Sequence, residues 1–302
     1  MAEEPRADHI AIVGMACRFP GANTPEEFWA NLAAGTESIT RLSEDDLLAA
    51  GVESREFRHP RFVNAAPLVD DVAGFDARFF GYTPREAEVR DPQGRLFLET
   101  CHAAIEDSGY DVSRMEGQVG VFGGMANNYY GERNVARNAA MKAAVGNMAI
   151  EVSNSPDYLA TTVSYRLGLR GPSINVQTAC STALVAVHLA AQSLRDGECD
   201  YALAGGVEVE LPYGTGYTWS EGDIYSRSGH IRPFDADADG TMFGTGSGTI
   251  ALKRLDDAIR DHDHIYGVIR GSAVNNDGGD RAGFTAPGVQ GQVQLIAEAL
   301  AV

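Results

Sequence analysis

Apolar residues along this chain cluster into short runs, separated by longer segments with helical spacing. Ile10-Ala11-Ile12-Val13-Gly14 is a continuous apolar run closed by glycine, the pattern of a strand buried on both faces. Val119-Gly120-Val121-Phe122-Gly123 repeats it, and Tyr201 to Leu211, Thr249 to Leu255 and Tyr266 to Val274 read as further strands. Helices fill the intervals. Thr24-Pro25-Glu26-Glu27 supplies a cap, a first-turn proline and acids at the positive dipole end. Asp91-Pro92 opens a helix over Gly94 to Ser108 that Gly109 stops, and Ser155-Pro156-Asp157 starts one to Leu167. Asp256 to Asp261 is a short helix and Val289 to Ala301 the last one. Residues 40–73 are polar and irregular except for a helical pattern at Glu44 to Ala50. Strands separated by helices predict a layered α/β architecture, and there is no repeat or low-complexity linker.

One segment carries chemistry. Ser173-Ile174-Asn175-Val176-Gln177-Thr178 is a strand-like run that ends at the small-residue turn Ala179-Cys180-Ser181. Cys180 then opens an apolar helix through Ala191. Unpaired backbone N–H groups and the helix dipole favour negative charge at such a position. They can lower a thiol pKa from about 8.5 and enrich the nucleophilic thiolate. The helix is apolar all round, which predicts a buried, rigid element that fixes the thiol. A cysteine that merely packs is the alternative, but strand, turn and helix together favour a nucleophile.

The surrounding motifs resemble the β-ketoacyl synthase (ketosynthase) domain of a bacterial modular type I polyketide synthase, from about His9 to the last residue. They are Gly14-Met15-Ala16-Cys17-Arg18-Phe19-Pro20-Gly21, Glu26-Glu27-Phe28-Trp29, Phe75-Asp76-Ala77-Arg78-Phe79-Phe80-Gly81, Pro84-Arg85-Glu86-Ala87 and Asp91-Pro92-Gln93. Thr178-Ala179-Cys180-Ser181, Ala204-Gly205-Gly206-Val207, Arg232-Pro233-Phe234-Asp235, Arg270 to Gly278 and Gly283-Phe284-Thr285-Ala286-Pro287 complete the series. The resemblance implies a thiolase-like αβαβα layered sandwich, with Cys180 as nucleophile. It implies that residues 1–255 form the complete first half and 256–302 only the start of the second. It also implies a Cys–His–His triad whose histidines lie C-terminal to Asn275-Asn276-Asp277-Gly278, in motifs of the type His-Gly-Thr-Gly-Thr and Asn-Ile-Gly-His. Neither motif occurs in this sequence, and its seven histidines fall elsewhere in the pattern. The expectation is a nucleophile-bearing portion that needs a complementing C-terminal ketosynthase portion, in cis or in trans, to condense substrates.

The resemblance also assigns partners and pocket residues. The acyl groups would arrive on the phosphopantetheine of an acyl carrier protein, no cofactor would be bound, and the chain would form a homodimer. Met125 matches a position lining the acyl pocket, and Phe243 lies in a segment that approaches the nucleophile; ordinary core roles stay open for both. Gly94 stands where relatives carry Gln or His, and Ser226-Arg227-Ser228-Gly229 replaces Ser-Pro-Asp-Gly. A non-catalytic subunit of this fold, binding carrier protein or pairing with a full ketosynthase, is the competing reading. Retention of Cys180 speaks against it, and the polyketide signatures speak against a thiolase.

Composition narrows the partners further. With 302 residues and 44% hydrophobic content the chain can bury a sizeable core. A net charge of −18 disfavours nucleic acid and anionic membrane. Acyl carrier proteins are themselves usually acidic, so the resemblance implies that any docking patch is a local cluster of arginines. Four cysteines without a CxxC pair argue against zinc and a disulfide framework. No 18-residue apolar window and no leader appear, so the cytoplasm is the expected compartment. Asp235-Ala236-Asp237-Ala238-Asp239-Gly240 begins like a calcium loop but has Gly246 at the twelfth position. Gly244 to Gly248 lacks the Gly-Lys-Ser/Thr ending of a phosphate loop and precedes a strand. His188 is eight residues past Cys180 on one helix, about 12 Å away, too far to be its base.

Overall fold

The computed structural model describes residues 8–279, 281–283 and 286–301. A six-stranded sheet carries the fold. Its strands are β1 (Ile10–Arg18), β2 (Val119–Met125), β3 (Ser173–Asn175), β4 (Tyr201–Glu208), β5 (Gly246–Arg254) and β6 (Gly267–Ile269). Their order across the sheet is β6-β1-β5-β4-β2-β3. β2 runs parallel to β3 and β4, whereas β5 is antiparallel to β4 and β1, and β6 is antiparallel to β1.

The period-two alternation of the strands sorts their side chains onto two cores. Ala11, Val13, Val121, Leu203 and Ala251 face one side and pack with helices α1 (Pro92–Asp107) and α2 (Leu159–Leu167). Ile10, Phe122, Ala202, Ala204 and Leu252 face the other and pack with α3 (Thr182–Arg195). Both faces are covered, which is why the central strands read as continuous apolar runs. Each fully buried large side chain, Phe97 and Phe122 among them, contributes about 1.5–3 kcal/mol.

The capping signals hold. Thr24 Oγ1 accepts from the Glu27 N–H at 3.2 Å, and Asp91 Oδ1 accepts from the Gln93 N–H at 2.9 Å. The polar region at 40–73 contributes two small ribbons, Thr40–Arg41 with Ala65–Ala66 and Phe62–Val63 with Tyr217–Thr218. Lys253 is a buried charge held by several partners. Lys253 Nζ donates to Asp263 at 2.6 Å, Asp261 at 2.8 Å and Tyr110 Oη at 2.6 Å. Burial opposes the ammonium charge, but these bonds outweigh it and hold its pKa above the ordinary lysine value.

Three expectations change. The strand expected over Tyr201 to Leu211 ends at Glu208, and the one expected from Thr249 begins at Gly246. The strand expected over Tyr266 to Val274 is only Gly267–Ile269, and it extends the first sheet, pairing Ile269 with Ile10 and Gly267 with Ile12. Its length follows from its partner. In this antiparallel register Ile269 already faces Ile10, the first residue of β1, and the pairing ends there. Helix α4 (Val289–Ala301) buries none of its residues, and Val289, Val293, Ile296 and Leu300 form an exposed apolar stripe. Among the described residues no helix is long and apolar enough to cross a membrane.

Glu99 on α1 gives the fold a pH dependence. Burial pushes its carboxyl up to about 6, against the pull of Arg18 and Arg95. A carboxyl raised above its unfolded value stabilises the fold fully below the unfolded pKa, and that contribution is lost as pH rises through about 6. Glu99→Gln should therefore stabilise the protein by about 1 kcal/mol at pH 7.5, after allowance for solvent screening, and leave it unchanged at pH 4.5. Urea unfolding of both proteins at the two pH values checks this; an equal gain at both would remove the carboxyl as its cause.

Candidate active site

The site begins where β2 leaves the sheet. Val176, which is buried, donates its N–H to the Gly123 carbonyl at 2.9 Å, and Gln177 Nε2 donates to the Met125 carbonyl at 3.1 Å. The 176–178 segment thereby lies against the end of β2. Only glycine permits this at position 124. A Cβ there would collide with the Val176 carbonyl and come within 2.6 Å of Thr182 Cγ2.

Past Gln177 the chain turns sharply. The Thr178 N–H donates to Thr182 Oγ1 at 3.0 Å, and Ser181 Oγ donates back to the Thr178 carbonyl at 2.8 Å. Ala179–Ser181 forms one 3-10 turn before α3 starts at Thr182. Ala179 has φ +54°, a left-handed conformation that costs an L-residue about 1–2 kcal/mol. The residue that follows this strained position is Cys180, which is exposed. It lies just ahead of the helix rather than within its first turn.

The expectation of a helix buried all round is corrected. α3 buries Ala186, Ala190, Ala191, Ser193 and Leu194, whereas Leu184 is 78% exposed. The described chain lays the sheet against one face of α3 and no further layer over the other. The thiol is consequently open to solvent. The other three cysteines are buried, and burial pushes the thiols of Cys17 to about 11 and Cys101 to about 12, and raises that of Cys199.

Among the described residues no histidine is hydrogen-bonded to Cys180. His188 Nδ1 lies 2.9 Å from Ser272 Oγ, and burial, with the charge of Arg195, lowers its pKa. His230 sits between Glu37 at 2.6 Å and Arg41 at 2.7 Å, and His102 pairs with Glu106 at 3.2 Å. Met125 closes β2 and is buried; its carbonyl, through Gln177, touches the nucleophile segment. Phe243 packs edge-on against Tyr225 at 5.4 Å beside a cavity of about 60 Å³ shared with Met242, Tyr213, Tyr217 and Glu210. Neither Cys180 nor Met125 lines that cavity.

The departures at Gly94 and at Arg227-Ser228 have structural accounts: the Arg227 guanidinium lies over the Trp219 ring at 5.4 Å, and the Ser228 N–H donates to Asp239 at 2.8 Å. The buried Arg90 guanidinium lies over Gly94, where an added Cβ would be 3.0 Å from Nε. Buried Ser226 Oγ accepts the N–H groups of Gly229 and His230 and donates to Asp239 at 2.8 Å. Asp235 Oδ1 accepts the Asp237 N–H at 2.8 Å, so the acidic run forms a turn. Among the described residues no group of His, Cys, Asp or Glu is arranged to hold a metal ion. Gln93 and Gln177 carry no signal of their own in the sequence, although Gln93 belongs to the Asp-Pro-Gln motif. A glutamine that serves backbone groups distant along the chain leaves no periodicity to find.

Residues 7–258 match the family model for the β-ketoacyl synthase N-terminal domain. The chain belongs to the β-ketoacyl synthase family. It is 48% identical over 299 residues to a phenolphthiocerol/phthiocerol polyketide synthase protein of Mycobacterium tuberculosis, covering 97% of this chain and 20% of that protein. It is 38% identical over 293 residues to polyketide synthase PksN of Bacillus subtilis, covering 97% of this chain and 5% of that protein. The crystal structure of ketosynthase twelve from the bacillaene polyketide synthase of Bacillus amyloliquefaciens superposes with a TM-score of 0.91 at 38% identity, covering 98% of this chain and 52% of that one. The sheet and its helices thus have the thiolase-like fold of polyketide synthase ketosynthases, and the chain spans about half of that solved domain. The motifs from Gly14 to Asp235, the Cys180 turn among them, fall within the matched residues 7–258.

Exposure makes a selective prediction. Iodoacetamide should modify one thiol per native chain, at Cys180, and all four only after denaturation. Peptide mapping that finds Cys17, Cys101 or Cys199 modified as fast as Cys180 would contradict the site geometry.

Proposed function

We propose that the chain is the nucleophile-bearing portion of a ketosynthase of polyketide biosynthesis. The observation that carries this reading is the single exposed thiol, Cys180, behind a strained turn that leads into α3. The Cys180 thiolate attacks the carbonyl carbon of an acyl-phosphopantetheine thioester. The tetrahedral oxyanion is held partly by the Cys180 backbone N–H, and its collapse expels the pantetheine thiolate and leaves an acyl-enzyme. A malonyl-type extender on acyl carrier protein then loses CO2. Its enolate attacks the acyl-cysteine carbonyl, forming the carbon–carbon bond of a β-ketoacyl product and releasing the Cys180 thiolate. Met125 and Phe243 are proposed to line the acyl path, Met125 near the nucleophile segment and Phe243 in the aromatic cavity. No bound cofactor enters either stage.

The enolate needs polar stabilisation, and no histidine of the described chain stands at Cys180. Residues 1–255 are therefore read as a first half and 256–302 as the opening of a second. The rest is supplied in cis or in trans and covers the stripe Val289, Val293, Ile296 and Leu300. A homodimer is proposed through β3, the edge strand of the sheet, where Ile174 is 42% exposed and one row of backbone groups is unpaired. The lack of a histidine partner for Cys180 also supports the second reading, a non-catalytic carrier-protein-binding or dimerisation subunit.

Incubation with an acyl-pantetheine thioester, followed by intact mass, separates the two. The expected result is one acyl adduct that Cys180→Ala abolishes, with no β-ketoacyl product on adding malonyl carrier protein. No adduct on folded protein would favour the subunit reading, and condensation by the chain alone would refute the need for a complementing portion.

A further inference from the structure

We infer that Gln93 and Gln177 are positioning residues that grip residues 125–127 from opposite sides and hold the acyl-pocket wall in register with the nucleophile turn. Gln93, at the start of α1, is 1% exposed. Its Oε1 accepts the Ala126 N–H at 3.0 Å, an N–H shared with the Val207 carbonyl of β4 at 3.2 Å. Its Nε2 donates to the Asn127 carbonyl and to Asp91 Oδ2, both at 3.4 Å. The amide orientation is forced. Ala126 offers a donor, while Asn127 and Asp91 offer acceptors, so the flipped amide would mismatch all three contacts. Asp91 is itself 1% exposed and anchored, its N–H donating to the Ser153 carbonyl at 3.2 Å. From the other side Gln177 Nε2 donates to the Met125 carbonyl at 3.1 Å, and Cys180 follows three residues later.

Both glutamines bond backbone, not side chains, within this segment. Their grip sets where the β2 terminus sits relative to the turn, whatever rotamer Met125 adopts. Replacing Gln93 by an apolar residue of equal length leaves the Asn127 carbonyl without that donor and loosens the point where β2 leaves the sheet. A displacement of the order of 1 Å at a positioned group can cost about 10²-fold in rate. Here it should change which acyl chains reach Cys180 rather than the reactivity of the thiol. The inference rests on the proposed roles of Cys180 and Met125.

The test uses Gln93→Met and Gln177→Met in the full chain, with three measurements on each. Hydrogen exchange of the peptide spanning 125–130 reads the grip without any acylation. The ratio of Cys180 acylation by decanoyl- against acetyl-pantetheine reads the pocket wall, and the iodoacetamide rate reads the thiol. We expect exchange at least about 10-fold faster and the acyl ratio shifted about 10-fold, with alkylation within about 2-fold of the parent. Unchanged exchange and ratio would overturn the inference. So would exchange that rises throughout the chain together with a lower melting temperature, which marks general destabilisation. If Gln93→Met does not fold, Gln177→Met at an exposed residue carries the test. If the parent chain takes up no acyl group, the nucleophile reading fails separately, and exchange alone decides whether the glutamines hold residues 125–127.

Discussion

The close approach of the 176–182 segment to the end of β2 is the contact on which the rest of the site depends. It is possible because position 124 has no side chain, and it is held by the Val176 N–H on the Gly123 carbonyl. Once that contact is fixed, Thr178 and Ser181 have their partners, Ala179 is forced into a left-handed conformation, and Cys180 emerges just ahead of α3. The strain at Ala179 is small beside the burial of Phe97, Phe122 and their neighbours, so the two cores can sustain it.

Much of this is legible in the chain because it is written locally. The apolar runs at Ile10 and Val119, the cap at Thr24 and the hydrogen bonds within the Cys180 turn depend on residues within a few positions of one another. Expectation and structure part where a distant partner decides the outcome. Residues 270–274 have the composition of a strand, yet the ladder with β1 stops at Ile269, opposite Ile10. The apolar girth of the Cys180 helix suggests burial. Girth shows that a helix tolerates a layer on each side, not that the same chain provides both. Leu184 and the α4 stripe record that difference.

The polar core is hidden from the sequence for a related reason. Gln93, Lys253 and Ser226 each serve groups 10 or more residues away, or several groups at once, and no spacing rule links Lys253 to Tyr110 or Gln93 to Ala126. Gly94 is an instructive case. Taken alone it weakens a helix. In the structure it makes room for the Arg90 guanidinium, so a departure that resembles a defect belongs to a packing arrangement of this chain.

These observations also suggest why acyl transfer and condensation should separate physically in the proposed reaction. Capture of an acyl group needs a nucleophile, an oxyanion donor and a pocket wall. In the proposed reading these come from β2, the turn and α3, which backbone contacts among the described residues hold together. Decarboxylation and carbon–carbon bond formation need cationic or hydrogen-bonding groups facing the thiol from the side where Leu184 is bare. Among the described residues no histidine is hydrogen-bonded to Cys180: His188 is committed to Ser272, and His230 is held between Glu37 and Arg41. The uncovered face of α3 is thus the place where the second stage of the chemistry would have to be added. A layer that covered the bare apolar side chains would, by the same packing, bring its polar groups over Cys180.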